Sequence, residues 1–136
     1  MAPEDSVSAR DAQISHVLSR YAHAIDDGDV ASVLACLSED GTISYEGGKI
    51  SLLGHAAIRD YLTGMLVGPS THLISNTMVD GDIVRASAIV CVTRQAGVVQ
   101  VRGVQYRANC VRIGDTWKFS RLEHRPIWQF TAPNEG

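Results

Sequence analysis

The sequence has no stretch approaching roughly 18 consecutive apolar residues, the length a helix needs to cross a bilayer, so no membrane span is expected. Its start, Met1-Ala-Pro-Glu-Asp-Ser6, has neither a basic n-region nor an apolar h-region, and a cytoplasmic protein is expected. Basic residues are not in excess: 12 Lys and Arg stand against 15 Asp and Glu, scattered singly, which argues against a nucleic-acid partner. Cysteine is scarce. Cys36, Cys91 and Cys110 form an odd set without Cys-x-x-Cys spacing, so reduced, partly buried thiols are expected rather than a disulfide framework or zinc cluster. The five histidines contain no His-Glu-x-x-His pattern, and the glycines form no Gly-x-Gly-x-x-Gly or phosphate loop. Neither a metal nor a cofactor is expected.

What is present fits one domain. The chain has 136 residues, 45% of them hydrophobic and 20% charged, enough for a useful core but not for a second domain. Residues 1–136 are therefore read as one unit, with 1–10 and 127–136 as flexible or oligomer-contacting tails. From about Val7, Ile14, Val17, Leu18, Tyr21 and Ile25 recur at three- and four-residue steps, which predicts an amphipathic first helix. Gly28 can end it in a left-handed conformation, and Asp29 can cap a second helix over Val30 to Leu37. Short extended pieces follow, Thr42 to Tyr45 and Lys49 to Leu53, joined through Glu46-Gly47-Gly48. After Gly54 a third helix shows an apolar stripe of Ala57, Ile58, Tyr61, Leu62, Met65 and Leu66, and Gly68-Pro69-Ser70 closes it.

The second half changes period. Thr71 to Val79, Ile83 to Arg94, Val98 to Ile113 and Thr116 to Arg125 read as strands joined by tight turns, so neighbours should pair antiparallel. Strands this long must curve, and a bulge or bend is expected near Gly103, where the apolar alternation loses its phase. Helices first, then a bent sheet, specify an α+β fold: a cone-shaped barrel of strongly curved antiparallel sheet wrapped around three N-terminal helices. Alternate positions Val84, Ala86, Ala88, Val90 and Val92 are candidates for an exposed apolar face that a homo-oligomer would cover.

Period-two alternation puts His72, Ile74, Asn76 and Met78 on one face of the first long strand, an apolar set with a few polar groups, as a ligand pocket needs. A lone histidine there is ordinarily a satisfied structural residue. A carboxylate partner changes that reading, because an imidazole held at Nδ1 keeps Nε2 free as a base. Helical geometry separates Asp26 from Asp27 poorly, and either could be a helix-end carboxylate. In the last strand Trp117, Phe119 and Arg121 share a face if alternation holds. Arg121 could extend a cation into the cavity or form a rim salt bridge, and His124 and Arg125 lie where a bulge could exchange the faces.

The stretch Tyr21-Ala-His-Ala-Ile-Asp26-Asp-Gly-Asp29 resembles the first-helix signature of the SnoaL-like family, cystatin-type α+β cones that include dehydratases and a dehydrochlorinase. Thr71-His72-Leu-Ile-Ser-Asn76 resembles the segment that opens the family's sheet. Gly54, Val79-Asp-Gly-Asp82 and Gly114-Asp-Thr-Trp117-Lys-Phe119 resemble its turn and last-strand patterns, and the likeness runs from about Asp11 to Arg125. The resemblance implies an Asp-His pair, here Asp26 and His72, with Tyr21 as a third catalytic residue or simply a core tyrosine. It also implies a dimer or trimer. With Ile74, Asn76, Met78, Trp117, Phe119 and Arg121 as substrate-binding residues, the expected function is a cofactor-independent lyase of the dehydratase type. Its substrate would be small, apolar, and cyclic or polyketide-like. An isomerase or polyketide cyclase using the same pocket, or a non-catalytic binding or assembly module, are the alternatives.

Overall fold

The computed structural model describes residues 7–66 and 68–135; residues 1–6 of the expected N-terminal tail, and Gly136, lie outside them. Helix α1 (Val7–Asp26) buries Ile14, Val17, Leu18, Tyr21 and Ile25, the stripe its sequence period predicts. It ends in a closed C-terminal motif, with the N–H of Gly28 donating to the Ile25 carbonyl (3.0 Å) and that of Asp29 to the Ala24 carbonyl (2.9 Å). Gly28 takes the left-handed conformation this requires (φ 67°). Asp29 then caps α2 (Val30–Ala35), accepting from the Ser32 N–H at 3.1 Å. A tight, hydrogen-bonded corner therefore fixes where the end of α1 points.

Strand β1 (Leu37–Tyr45) begins where the sequence suggested a longer second helix. A short 3-10 turn, Glu46–Gly48, leads to β2 (Ile50–Leu53), and α3 (Gly54–Met65) follows with Ile58 and Leu62 fully buried. The long strands are β3 (Ser70–Asp80), β4 (Ile83–Gln95), β5 (Val98–Ile113) and β6 (Thr116–Pro133). They form one six-stranded sheet in the order β2-β1-β6-β5-β4-β3, curved around the helices, with the core between sheet and helices.

This is the expected α+β fold of a curved sheet on N-terminal helices, with two qualifications. The sheet does not close, since β2 and β3 are its edges, and β1 pairs with β6 in parallel while every other neighbouring pair is antiparallel. Of the segments expected as flexible or oligomer-contacting tails, residues 7–10 belong to α1 and 127–133 extend β6. Pro126, just past the expected strand end at Arg125, cannot donate to a ladder. Here it sits beside a bulge, where Val104 pairs with Pro126 and Gly103 with Trp128, leaving Ile127 as the extra residue. The irregularity expected near Gly103 is thus present, with the additional residue on the neighbouring strand.

Two further bulges decide which side chains face inward. In β3 the register with β4 slips between Ser75 and Met78, and Asn76 adopts φ 55°. In β6 it slips between Phe119 and Arg121, leaving Ser120 as the extra residue. Each slip of one residue exchanges the faces for everything beyond it. In β4, by contrast, alternation is regular, and Val84, Ala86 and Ala88 are buried on the inner face instead of forming the exposed outer surface expected for them.

Candidate active site

A cavity opens between the C-terminal ends of α1 and α3 and the inner face of the sheet, with about 720 Å³ of free space counting its mouth. Ile25, Met65, Leu66, Val90, Val92 and Val104 supply most of its apolar wall. The polar groups come from six places in the chain: Tyr21; Tyr45 and Glu46; Ser70 and His72; Arg94; Arg102 and Tyr106; and His124.

His72 lines this wall, and Asp26 holds it from behind. His72 Nδ1 lies 2.6 Å from Asp26 Oδ1, and the His72 backbone N–H donates to Oδ2 at 2.9 Å. Ser70, two residues earlier on the same strand face, donates its hydroxyl to Oδ1 at 2.8 Å. An ionised carboxylate only accepts, so the 2.6 Å contact assigns the imidazole proton to Nδ1 and leaves Nε2 as a lone pair. Three donors therefore hold the carboxylate, and the carboxylate orients the ring. The His72 side chain is 9% exposed and that of Asp26 21%, so the pair is sheltered but still reachable from the cavity.

A second buried histidine stands across the site. His124 Nδ1 lies 3.0 Å from the Ser44 carbonyl oxygen, which fixes the proton there, so Nε2 accepts from the Tyr21 hydroxyl at 2.9 Å. Burial pushes the His124 pKa down to about 3; the Ser44 hydrogen bond opposes this, while the neighbouring His72 and Arg102 add to it. His124 is consequently a neutral acceptor. Burial, and then the neighbouring Tyr45 and Tyr106 hydroxyls, raise the Tyr21 pKa well above the ordinary phenol range.

Around His124 the aromatic rings form a box. Tyr45 stacks on the imidazole (centroids 4.3 Å apart, planes 22°), Tyr106 meets it edge-on at 4.8 Å, and Tyr21 packs at 5.8 Å. The Tyr45 hydroxyl is buried beside that of Tyr21, and the contact between the two phenols raises the Tyr21 pKa and opposes the rise that burial causes in Tyr45. The Tyr45 side chain lines the cavity. At the mouth, Arg102 donates to Glu46 Oε1 at 2.7 Å.

Of the candidates read from sequence, Asp26, His72 and Tyr21 come together, although the Tyr21 hydroxyl is already engaged. None of the six expected substrate-binding residues lines the cavity. Ile74 points inward but packs against the core. Asn76 and Met78, displaced by the β3 bulge, lie in a separate depression with Arg85, Ser87 and Arg125. Phe119 is fully buried behind Tyr21, with ring centroids 6.2 Å apart, and Trp117 packs at the far end beside His16 and Arg20. Arg121 lies outside, paired with Glu123 at 2.8 Å. His124 takes the inward position that unbroken alternation would have denied it. Ser70, Tyr45, Arg94 and Arg102 went unrecognised. Strand phase could have found two of them: Ser70 is in phase with His72, and Arg102 with Tyr106. Among the described residues, no three His, Cys, Asp or Glu side chains gather as a metal site would require, and no helix is long and apolar enough to cross a membrane.

The SnoaL-like domain profile matches residues 6–123. A scytalone dehydratase-like protein from Novosphingobium aromaticivorans shares the fold with a TM-score of 0.84 at 21% identity, covering 90% of this chain and 87% of its own. Hexachlorocyclohexane dehydrochlorinase LinA-type3 from Novosphingobium barchaimii superposes with a TM-score of 0.76 at 17% identity, over 95% of this chain and 92% of its own. A ketosteroid isomerase-like protein from Erwinia carotovora atroseptica gives 0.69 at 17% identity, over 86% and 95% respectively. No curated protein sequence matches the chain.

Proposed function

The chain belongs to the SnoaL-like family, and we propose that it is a cofactor-independent lyase of the dehydratase type acting on a small, largely apolar, cyclic or polyketide-like substrate. The observation that carries this reading is the 2.6 Å contact of Asp26 Oδ1 with Nδ1 of His72, whose side chain lines an apolar cavity. A binding module has no need of a base so oriented, nor of three donors spent on holding the carboxylate behind it.

In this mechanism His72 Nε2 removes a proton from the carbon beside a carbonyl, and the released electron pair becomes an enolate. The Tyr45 hydroxyl, turning from Tyr21, donates a hydrogen bond to the carbonyl oxygen as charge develops there. The enolate then re-forms its carbonyl, the carbon–oxygen bond to the β-hydroxyl breaks, and the leaving oxygen takes the proton from His72 Nε2. One water is lost, one carbon–carbon double bond is made, and His72 is neutral again. Asp26 stays ionised throughout and stabilises the transient imidazolium. Tyr21 and His124 hold Tyr45 in position without exchanging protons themselves. General-base action of this kind contributes about 10²–10⁴-fold.

A cyclic β-hydroxy ketone tests the reading, followed by the absorbance of the conjugated enone and, in deuterated water, by loss of the α-hydrogen signal. Both His72→Ala and Asp26→Asn should lower elimination by at least about 100-fold. Unchanged turnover in both variants means the assigned base is wrong. His72-dependent hydrogen exchange without loss of water would turn the reading to an isomerase.

A further inference from the structure

Resting on that reading of the cavity, we propose that the substrate carries a carboxylate on the end that faces the mouth, where Arg102 and Arg94 receive it. Arg102 lies on the inner face of β5 opposite Val90, and its side chain is only 18% exposed. One guanidinium nitrogen donates to Glu46 at 2.7 Å, while its buried Nε has no hydrogen-bond partner. Hydrogen bonds to a charged guanidinium are stronger than neutral ones, so a carboxylate that reaches the N–H groups Arg102 does not spend on Glu46 gains affinity. The charge of Arg102 reaches into the site, since it lowers the proton affinity of both His124 and Tyr106. Arg94 borders the same cavity four residues beyond Val90 on β4 and makes no ion pair among the described residues. In a chain of net charge -3, the mouth holds two cations and one anion.

Glu46 indicates which anion fits. Its own carboxylate already sits on Arg102, so the guanidinium presents itself to a planar carboxylate. The backbone that holds it there is strained: Glu46 has φ 53°, followed by Gly47 at 67° and Gly48 at 98°. A residue with a side chain is uncommon in that region, and the two glycines after it let the turn rearrange. Glu46 is thus an internal occupant of the carboxylate position, able to yield or share it. Behind the arginines, Val90, Val92 and Val104 offer an apolar wall for the body of the ligand.

The probes are naphthoate and its neutral isostere naphthamide, titrated against the whole protein by calorimetry. Naphthoate should bind about tenfold or more tightly than the amide, as expected for hydrogen bonds to a charged group. Arg94→Gln and Arg102→Gln should each reduce that ratio several-fold, and Glu46→Gln, which frees Arg102, should raise it. Equal affinities, or no binding of either probe, overturn the proposal, as does a ratio unchanged in the arginine variants. If Arg102→Gln does not fold, Arg94→Gln and Glu46→Gln decide in the same way. Naphthyl phosphate binding more tightly than naphthoate would also overturn the assignment of a carboxylate. These titrations involve no turnover. A missing naphthoate preference alongside His72-dependent elimination of the neutral hydroxy ketone removes only this inference, whereas the preference without elimination from a carboxylate-bearing hydroxy ketone removes the lyase reading.

Discussion

Replacing His124 by Gln should flatten the acid side of this protein's stability profile. The imidazole is buried and accepts from Tyr21 at Nε2, and its pKa lies near 3 in the folded protein. In the unfolded chain an unperturbed imidazole titrates near 6.5, so between these values the unfolded state binds a proton that the folded state refuses. The contribution is therefore complete above about pH 6.5 and is lost as pH falls toward about 3, at up to 1.36 kcal/mol per pH unit. From about pH 7 to about pH 4.5 the loss is about 3 kcal/mol, a large fraction of a small domain's stability. In His124→Gln the amide can still donate to the Ser44 carbonyl and accept from Tyr21, but it does not titrate. Losing the stack on Tyr45 should cost about 1–3 kcal/mol at neutral pH. Urea unfolding across this pH range, in parent and variant, gives the two slopes, and the carboxylates common to both cancel in their difference. Equal slopes would refute the claim that His124 is held neutral by burial.

Three further outcomes follow from the site and the sheet. Tyr45→Phe removes the hydroxyl assigned to the substrate carbonyl, so elimination should fall by about 10²-fold while urea stability changes by no more than about 1 kcal/mol; unchanged turnover would show that Tyr45 gives the transition state nothing. Ser70→Ala removes one of three donors to Asp26 and should cost about 1 kcal/mol in unfolding free energy, with a several-fold fall in kcat measurable on the hydroxy ketone. On the outer sheet face Leu73, Ile89, Gly103 and Trp128 lie side by side across four strands, with Phe130 stacked on Trp128. Exposed at 59%, 42% and 46%, Leu73, Ile89 and Trp128 form an apolar row of the kind a second copy covers. Light scattering should give an oligomer at micromolar concentration and a smaller species for Trp128→Glu; a monomeric parent protein would refute the row as an interface.

Local rules carried the sequence a long way. The three- and four-residue spacing of Ile14, Val17, Leu18, Tyr21 and Ile25 specified the buried face of α1, and Gly28 with Asp29 specified the corner that ends it. Period-two alternation from the start of β3 turned His72 inward. These features depend on residues within a turn or two of one another, where backbone geometry leaves few choices.

Tertiary structure decided what alternation and helical phase could not. Asp26, rather than Asp27, received hydrogen bonds from residues 44 and 46 positions away, a choice made by where β3 crosses the end of α1. Bulges at Asn76 and Ser120 sent Met78 and Arg121 outward and brought His124 in. The one at Ile127 carried β6 on past Pro126. A bulge is a one-residue mismatch between two strands, so its position is a property of the pair and is written in neither strand alone. The parallel pairing of β1 with β6, which helps bring Tyr45 to His124, is non-local in the same way. The chain's own pattern therefore specified the scaffold and the inward His72, while the partners that make His72 a candidate base arose only when distant strands and the helix end were packed together.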